Sequence, residues 1–393
     1  MEPIFLSFNI KLNRLIMAKP IGYNKERAQK ILNKYDIDLL IASSPVNVFY
    51  TSGLPVTHVA PNPILYVLSN QYPNLSMVRR DGEESAIVWA LYDSVEEFSW
   101  VPPSEVFRVG SLQAAVNTLL KKVDEWELGD RTIGLESYMP RYQSEALQKK
   151  FPNAKFIDAD DVFIEMRLVK TEEEVRRIRK STEVAEKAIK ACIDAVELNM
   201  KDTDLLRIAR RTIVDEGAWG WDHLTMNIGP SDPEAPGLGT PVTPNDIVRF
   251  DFGAVWEGYI SDVSRGVVIG EVPPKAQEAM DYMIKVQEFC AENIKPGLNA
   301  KVFREEAKAY LKSLTKRGFY LITGHSIGLE CEETHLFGPT GAMDVPFEEN
   351  MVLDLEVWLN VRGQGLVGVE DCYRVTKSGT ERLSGLDKEI VVK

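Results

Sequence analysis

Acidic side chains interrupt two of the most apolar stretches of this chain. Asp251 lies in Ile247-Val248-Arg249-Phe250-Asp251-Phe252-Gly253-Ala254, and Asp262 lies in Tyr259-Ile260-Ser261-Asp262-Val263. Both segments read as strands, and Trp256-Glu257-Gly258 between them reads as a turn. With Glu257-Gly258 as the loop, Asp251 faces Ser264 and Asp262 is its diagonal neighbour on the same sheet face. With the loop one residue earlier, the two aspartates stand directly opposite. Either register brings two carboxylates together, which is unfavourable unless a cation lies between them.

The C-terminal part repeats the arrangement. Val352-Leu353-Asp354-Leu355-Glu356 alternates, so Asp354 and Glu356 share a face, and a hairpin centred on Gly363 sets Glu370 opposite Glu356. Acids among Val, Leu and Trp are not the composition of a plain core. His325 follows the apolar run Phe319–Ile322 and an expected turn at Gly324. Four carboxylates and an imidazole suit a pair of hard-to-borderline divalent ions such as manganese, cobalt, iron or zinc. Two such ions sharing carboxylates acidify a water between them, and that water is the natural nucleophile.

On these residues the chain resembles the superfamily of creatinase, prolidase and methionine aminopeptidase, whose catalytic domain has the pita-bread fold. The resemblance runs through Asp251-Phe252-Gly253-Ala254, Gly258-Tyr259-Ile260-Ser261-Asp262-Val263-Ser264-Arg265, Gly324-His325-Ser326-Ile327-Gly328-Leu329-Glu330, Met351-Val352-Leu353-Asp354-Leu355-Glu356 and Val369-Glu370-Asp371. The ligand separations of 11, 63, 31 and 14 residues are similar to those of prolidases. Ile37–Ala42 and Asn47–Gly53 resemble the creatinase-type N-terminal domain, so the likeness covers almost the whole chain after Ile21. It implies metal ligands at Asp251, Asp262, His325, Glu356 and Glu370, with Glu356 also moving the proton from the attacking water to the leaving nitrogen. The implied reaction is hydrolysis of a C–N bond, foremost an Xaa-Pro peptide bond, and the implied assembly is a homodimer. The alternatives are a creatinase-like amidinohydrolase or ring-opening hydrolase acting on a cationic small molecule, and a non-catalytic binding module with the same fold.

Against the prolidase pattern, Glu332 stands where a second histidine is usual, seven residues after His325. The region of Glu234 stands where another precedes Asp251, Gly368 stands for an arginine, and Val357-Trp358 follows Glu356 in place of Pro-Gly. Glu332 and Glu234 make the pocket acidic, so a substrate with a cationic group is expected there. The chain has four histidines. His335 is the first candidate to replace the missing catalytic imidazole, His223 is the second, in a substrate-binding place, and His58 is a third that would reach a partner subunit. Trp256 and Trp358 are read as packing, Asp354 as a residue orienting a ligand, and Arg265 as the ion-pair partner of Asp262.

These residues need two layers of scaffold. Strand signals at Asp38–Ala42, Val48–Tyr50, Ser85–Leu91, Glu105–Val109 and Thr132–Leu135 alternate with helical stretches at Asn24–Asp36, Ser111–Glu127 and Arg141–Lys150, an α/β layer. A capping box at Thr171–Glu174 opens a long helix, followed by helices at Asp204–Glu216, Pro274–Asn293 and Val302–Arg317. With strands at Ile247–Phe252, Tyr259–Ile269, Val352–Val361 and Leu366–Val375, this second half is α+β. The expected domains are 1–165, with 1–20 an extension, and 166–393. That division suits 393 residues that are 44% hydrophobic and 27% charged. A net charge of −13 without a basic stripe argues against nucleic acid as a partner. Four unpaired-looking cysteines fit the reducing cytoplasm, and no apolar run approaches membrane-spanning length.

Overall fold

A computed structural model describes residues 24–53, 74–82, 85–89, 106–230, 237–316 and 319–393. His58 and Glu234 lie outside the described residues. The N-terminal layer is a six-stranded sheet formed by β1 (Leu39–Ala42), β2 (Leu75–Arg79), β3 (Ser85–Trp89), β4 (Val106–Arg108), β5 (Thr132–Leu135) and β6 (Lys155–Asp158), in the order β4-β3-β2-β1-β5-β6. It is packed by α1 (Lys25–Lys34), α2 (Pro45–Ser52), α3 (Leu112–Glu125), α4 (Arg141–Lys150) and α5 (Asp160–Leu168). β1 is buried on both faces: Leu40 and Ala42 join the cluster around α1 and α5, while Leu39 and Ile41 join the one around α3. That explains a strand without polar alternation.

One sequence expectation fails here. Val48-Phe49-Tyr50 is not a strand but the middle of α2. Ser44 caps that helix by accepting from the Asn47 amide, Pro45 occupies its first turn, and Gly53 ends it in the left-handed region at φ 75°. These end signals override the β preference of a short β-branched and aromatic run.

The second layer is a ten-stranded sheet whose main path runs β12-β11-β13-β14-β10-β8-β7. Its strands are β7 (Gly220–Ile228), β8 (Ile247–Trp256), β9 (Tyr259–Ile260), β10 (Val263–Val268), β11 (Tyr320–Ser326), β12 (Thr334–Phe337), β13 (Val352–Val361), β14 (Gly365–Thr376), β15 (Gly379–Arg382) and β16 (Val391–Val392). The sheet is curled into the half-barrel of the pita-bread fold. α6 (Glu172–Ala195) and α7 (Asp202–Asp215) cover the β8 side, where Val184, Ala188 and Cys192 meet Phe250, Phe252 and Val263. α8 (Pro274–Asn293) and α9 (Ala300–Leu314) cover the β13 side through Met283, Val286 and Phe303. Thr171 and Glu174 form the expected capping box at the start of α6. No helix among the described residues is long and apolar enough to cross a membrane.

The strand register positions the chemistry. Thr225 pairs with Asp251, Asp251 with Ser264, Ser264 with Glu370, Glu370 with Glu356, and Glu356 with Thr323. These six residues form one row across six strands on a single face. Asp251 opposite Ser264 is the first of the two registers weighed from the sequence, and Glu370 opposite Glu356 is the expected hairpin. Gly324 is not in a turn; β11 runs through it, with a register shift against β12 between Gly324 and His325. A side chain there would overlap the Phe337 ring, so glycine serves close packing rather than chain reversal.

Candidate metal centre

Around that row the same face carries the residues two positions along each strand. His325 pairs with Asp354 and Asp354 with Cys372, while Asp262 precedes β10 two residues before Ser264. His223 belongs to β7 next to a bulge, and its ring lies over Gly253, where a Cβ would stand 2.5 Å from His223 Cε1. Glycine at 253 therefore makes room for the imidazole. The result is a cavity of about 280 Å³ lined by Asp222, His223, Thr225, Asp251, Asp262, Cys331, Glu332, Glu356 and Glu370.

The five expected ligands converge. Donor atoms of Asp262, His325 and Glu370 lie within 4.8 Å of one another, as do those of Asp251, Glu356 and Glu370, so Glu370 belongs to both groups. A third set, His223, Asp251 and Asp262, meets the same criterion. His325 Nδ1 lies 3.1 Å from the Cys331 carbonyl, to which it can only donate, so Nε2 is the nitrogen left with a lone pair, 3.6 Å from Glu370 Oε1. Burial lowers the His325 pKa, which favours the neutral ring a metal requires.

Electrostatically the cluster is under stress. Burial and then the charge of Asp262 push Glu370 and Asp354 well above the usual carboxylate range. Burial also raises Asp262. Burial would raise Asp251 too, but Arg249, with Nη1 2.9 Å from Asp251 Oδ2, drives it well below the ordinary value. Asp354 Oδ1 is buried with no hydrogen-bond partner among the described residues, while Oδ2 accepts from Cys372 Sγ at 2.8 Å. An oxygen-rich set with one neutral imidazole and too little positive charge fits divalent cations.

The imidazole lining this cavity is His223, with Nε2 3.1 Å from Asp262 Oδ1 and Nδ1 3.1 Å from Asp222 Oδ2. Burial alone would lower its pKa, but Asp262 and the other acids raise it well above the usual value. His335 is not among the lining residues. It pairs with His325 across β11 and β12, ring centroids 5.7 Å apart, with Nε2 3.6 Å from Glu332 Oε2. Glu332 lines the cavity with its side chain 58% exposed, so it stands at the mouth.

Arg265 does not pair with Asp262. It bonds Asp371 and the carbonyls of Ser264, Glu370, Leu386 and Asp387, because alternation from Ser264 turns it to the opposite face of the sheet. Asp354 is the cross-strand partner of His325, and the hydrogen bond its side chain makes among the described residues is from Cys372 Sγ. Trp358, read as packing, also donates from Nε1 to Glu356 Oε1 at 3.1 Å. Sequence reasoning missed Arg249 and Cys331. Arg249 was accessible through the rule that strand residues two apart share a face. Cys331 had no such signal, since a loop sets its position.

A curled sheet presenting buried, cation-demanding carboxylates and a neutral histidine to a small cavity defines a metallohydrolase. The comparisons agree: residues 176–377 match the model of metallopeptidase family M24, and residues 25–169 match the creatinase/prolidase N-terminal domain. The chain belongs to metallopeptidase family M24. It is 26% identical over 379 residues to an Xaa-Pro dipeptidase of Pyrococcus horikoshii, covering 93% of this chain and 99% of that one. It is also 26% identical over 394 residues to an Xaa-Pro dipeptidase of Lactobacillus delbrueckii subsp. lactis, covering 94% and 98%. The solved Xaa-Pro dipeptidase from Bacillus anthracis shares the fold at TM-score 0.79 with 20% identity, over 94% of this chain and 99% of that one. The prolidase from Pyrococcus furiosus does so at 0.72 with 23% identity, over 91% and 99%.

Proposed function

We propose that this metal-dependent peptidase is an Xaa-Pro dipeptidase, with Asp251, Asp262, His325, Glu356 and Glu370 holding two divalent ions. The observation that carries the reading is the ligand set split into two groups that share Glu370, with Asp251, Asp262, Glu356 and Glu370 lining one cavity of about 280 Å³. That volume is at the small end for a ligand site and suits a dipeptide better than a long chain. When bound, such ions supply Lewis-acid polarisation of the scissile carbonyl and acidify a water.

The chain's own side chains do the rest. Glu356 takes the proton of the attacking water and passes it to the leaving proline nitrogen; the Trp358 indole, 3.1 Å from Oε1, fixes its carboxylate. His223 supplies the imidazole that the sequence assigned first to His335, because His223 lines the cavity. Asp222 and Glu332 at the mouth receive the free α-ammonium of the substrate. The acidity expected to select a cationic small molecule thus also suits the amino end of a dipeptide, while an amidine substrate remains the second reading on the same observation. The test is proline release from Xaa-Pro dipeptides by protein loaded with manganese, cobalt or zinc. A metal-dependent rate lost in Glu356→Gln supports the proposal. No release from metal-loaded protein overturns it and turns the assay to amidines.

A further inference from the structure

The bulge in β7 places two consecutive side chains in one cavity, which a regular strand does not do. Trp221 pairs with Ala254 and Leu224 with Phe252, so Asp222 and His223 together stand opposite Gly253 alone. Successive residues of a strand point to opposite faces, and the extra residue of a bulge re-aims a side chain. Asp222 and His223 accordingly both line the cavity, and Cys331 joins them from the loop between β11 and β12. Donor atoms of these three residues lie within 4.8 Å of one another. The reaction proposed above gives the Cys331 thiol no part.

His223 belongs to two sets of converging donors, one with Asp251 and Asp262 and the other with Asp222 and Cys331. Its two ring nitrogens divide between them. Nε2 lies 3.1 Å from Asp262 Oδ1 and 3.6 Å from Asp251 Oδ1, whereas Nδ1 lies 3.1 Å from Asp222 Oδ2 and 3.9 Å from Cys331 Sγ. A ring that donates from Nε2 to Asp262 keeps its Nδ1 lone pair for the outer pair, where it meets a carboxylate oxygen and a sulfur. A tetrahedral zinc ion, with Zn–S about 2.3 Å and Zn–N about 2.0 Å, holds its ligand atoms roughly 3.5 Å apart. The 3.1 and 3.9 Å separations from Nδ1 straddle that value. The Asp222 and His223 side chains are 35% and 21% exposed, so an ion can enter from solvent. A thiolate beside an imidazole favours zinc, whereas the five-ligand centre, with oxygens and one nitrogen, contains no sulfur.

We propose that Asp222, His223 Nδ1 and Cys331 form a separate zinc site at the mouth of the cavity, and that an ion held there closes the cavity to substrate. Binding releases the thiol proton, and the proton of Nδ1 where the ring carries one, to solvent. The ion takes the Asp222 carboxylate from the substrate's ammonium, sets a like charge in its path and holds the His223 ring. The site stands on its own geometry, and only the effect on turnover rests on the dipeptidase reading.

The test uses the full chain, loaded with manganese and then titrated with cobalt or with zinc. Cobalt is expected to give a near-ultraviolet thiolate-to-cobalt charge-transfer band in wild type and none in Cys331→Ala. Zinc is expected to halve proline release by wild type at a concentration at least about 100-fold lower than for Cys331→Ala, each measured against its own zinc-free rate. Loss of a direct ligand should cost more than the roughly 10- to 100-fold that loss of an outer partner does. A band that persists in Cys331→Ala, or no band in wild type, overturns the site. Equal zinc sensitivity of the two proteins overturns the closure and puts the inhibition at the five-ligand centre. If the alanine variant does not fold, Cys331→Ser takes its place and the same outcomes decide. A wild type that shows the band but releases no proline with any metal sinks the dipeptidase reading and leaves the zinc site standing.

Discussion

At the scale of single residues, the site divides into groups that hold charge and groups that move it. Glu356 differs from its row neighbours in being less enclosed, 17% exposed against 2% for the Glu370 side chain, and it carries the Trp358 hydrogen bond. Glu356→Gln is expected to lower kcat by about 100- to 10,000-fold, the usual range for a lost general base, with the fold kept. Steady-state kinetics beside metal analysis checks it; an equal loss caused by lost metal would reassign Glu356 to a purely ligating role. At the mouth, Glu332→Gln should raise KM for dipeptides with a free amino end by about tenfold at nearly constant kcat, the signature of binding shared by ground and transition states. N-acetylated substrates should be insensitive to it, and equal sensitivity of both would mean Glu332 does not meet the ammonium. The ligand candidates were legible in the sequence because a carboxylate on the apolar face of a strand is costly to bury without a cation beside it. Arg249 was hidden by its ordinariness, since a lone arginine in a strand usually reads as a side chain reaching solvent. His223 was placed in a substrate role without its strand, because the segment Trp221–His223 gives no apolar alternation and β7 is bulged there.

At the scale of elements, the loop between β11 and β12 carries Cys331 and Glu332 and is held by a buried ionic knot. Lys170, just before α6, reaches Glu333 Oε2 at 2.7 Å and Ser326 Oγ at 2.8 Å, while Arg167 at the end of α5 lies 3.5 Å from Glu333 Oε1 and pairs with Glu330. Burial alone would raise the Glu333 pKa, but Lys170 and Arg167 hold it below the ordinary value. A carboxyl depressed on folding stabilises the protein above its unfolded pKa and loses that contribution as pH falls through the folded one. Glu333→Gln should therefore destabilise by about 3 kcal/mol near pH 7, as loss of one partner from a buried pair does, and by clearly less near pH 3. Urea unfolding of both proteins at the two pH values measures this, and a pH-independent difference would point to packing rather than charge. Elements bounded by strong end signals were read well from sequence: α4 and α8 have the expected limits, and Ser111, Asn24 and Thr171 are the caps of their helices. Elements whose limits depend on distant partners were not. The strand β11 passes through Gly324 because Phe337 fills the place of a side chain, and α2 replaces a strand because caps outweigh β-branched residues.

At the scale of the whole molecule, the alternation of β1, α3, β5 and α4, against helices set on one largely antiparallel sheet in the second half, was enough to separate an α/β layer from an α+β one. The curl of the ten-stranded sheet was not legible, because it follows from long-range pairings such as Ser264 with Glu370, which no local pattern announces. That long-range closure gathers Asp251, Asp262, Asp354, Glu356 and Glu370 onto one face, and folding without cations has to bear their mutual repulsion. Glu370 and Asp354 are raised well above the carboxylate range by burial first and then by neighbouring acids. In the unfolded chain the same groups titrate near about 4. Above that value the metal-free folded state binds more protons than the unfolded one, so its stability falls as pH rises toward the raised folded values. His223, also raised on folding, acts in the same direction as pH climbs through its folded pKa. Divalent ions reverse the trend, because they bind the deprotonated carboxylates and the neutral His325 and so gain affinity as protons leave. An ion present at a hundred times its dissociation constant adds about 2.7 kcal/mol of stability. The melting temperature of chelated protein should therefore decline between pH 5 and about pH 8, while that of manganese-loaded protein holds or rises, and the gap between them should widen with pH. Parallel curves with a constant gap would mean that the buried acids are balanced within the protein itself and that cations are not needed to hold the two halves of the sheet together.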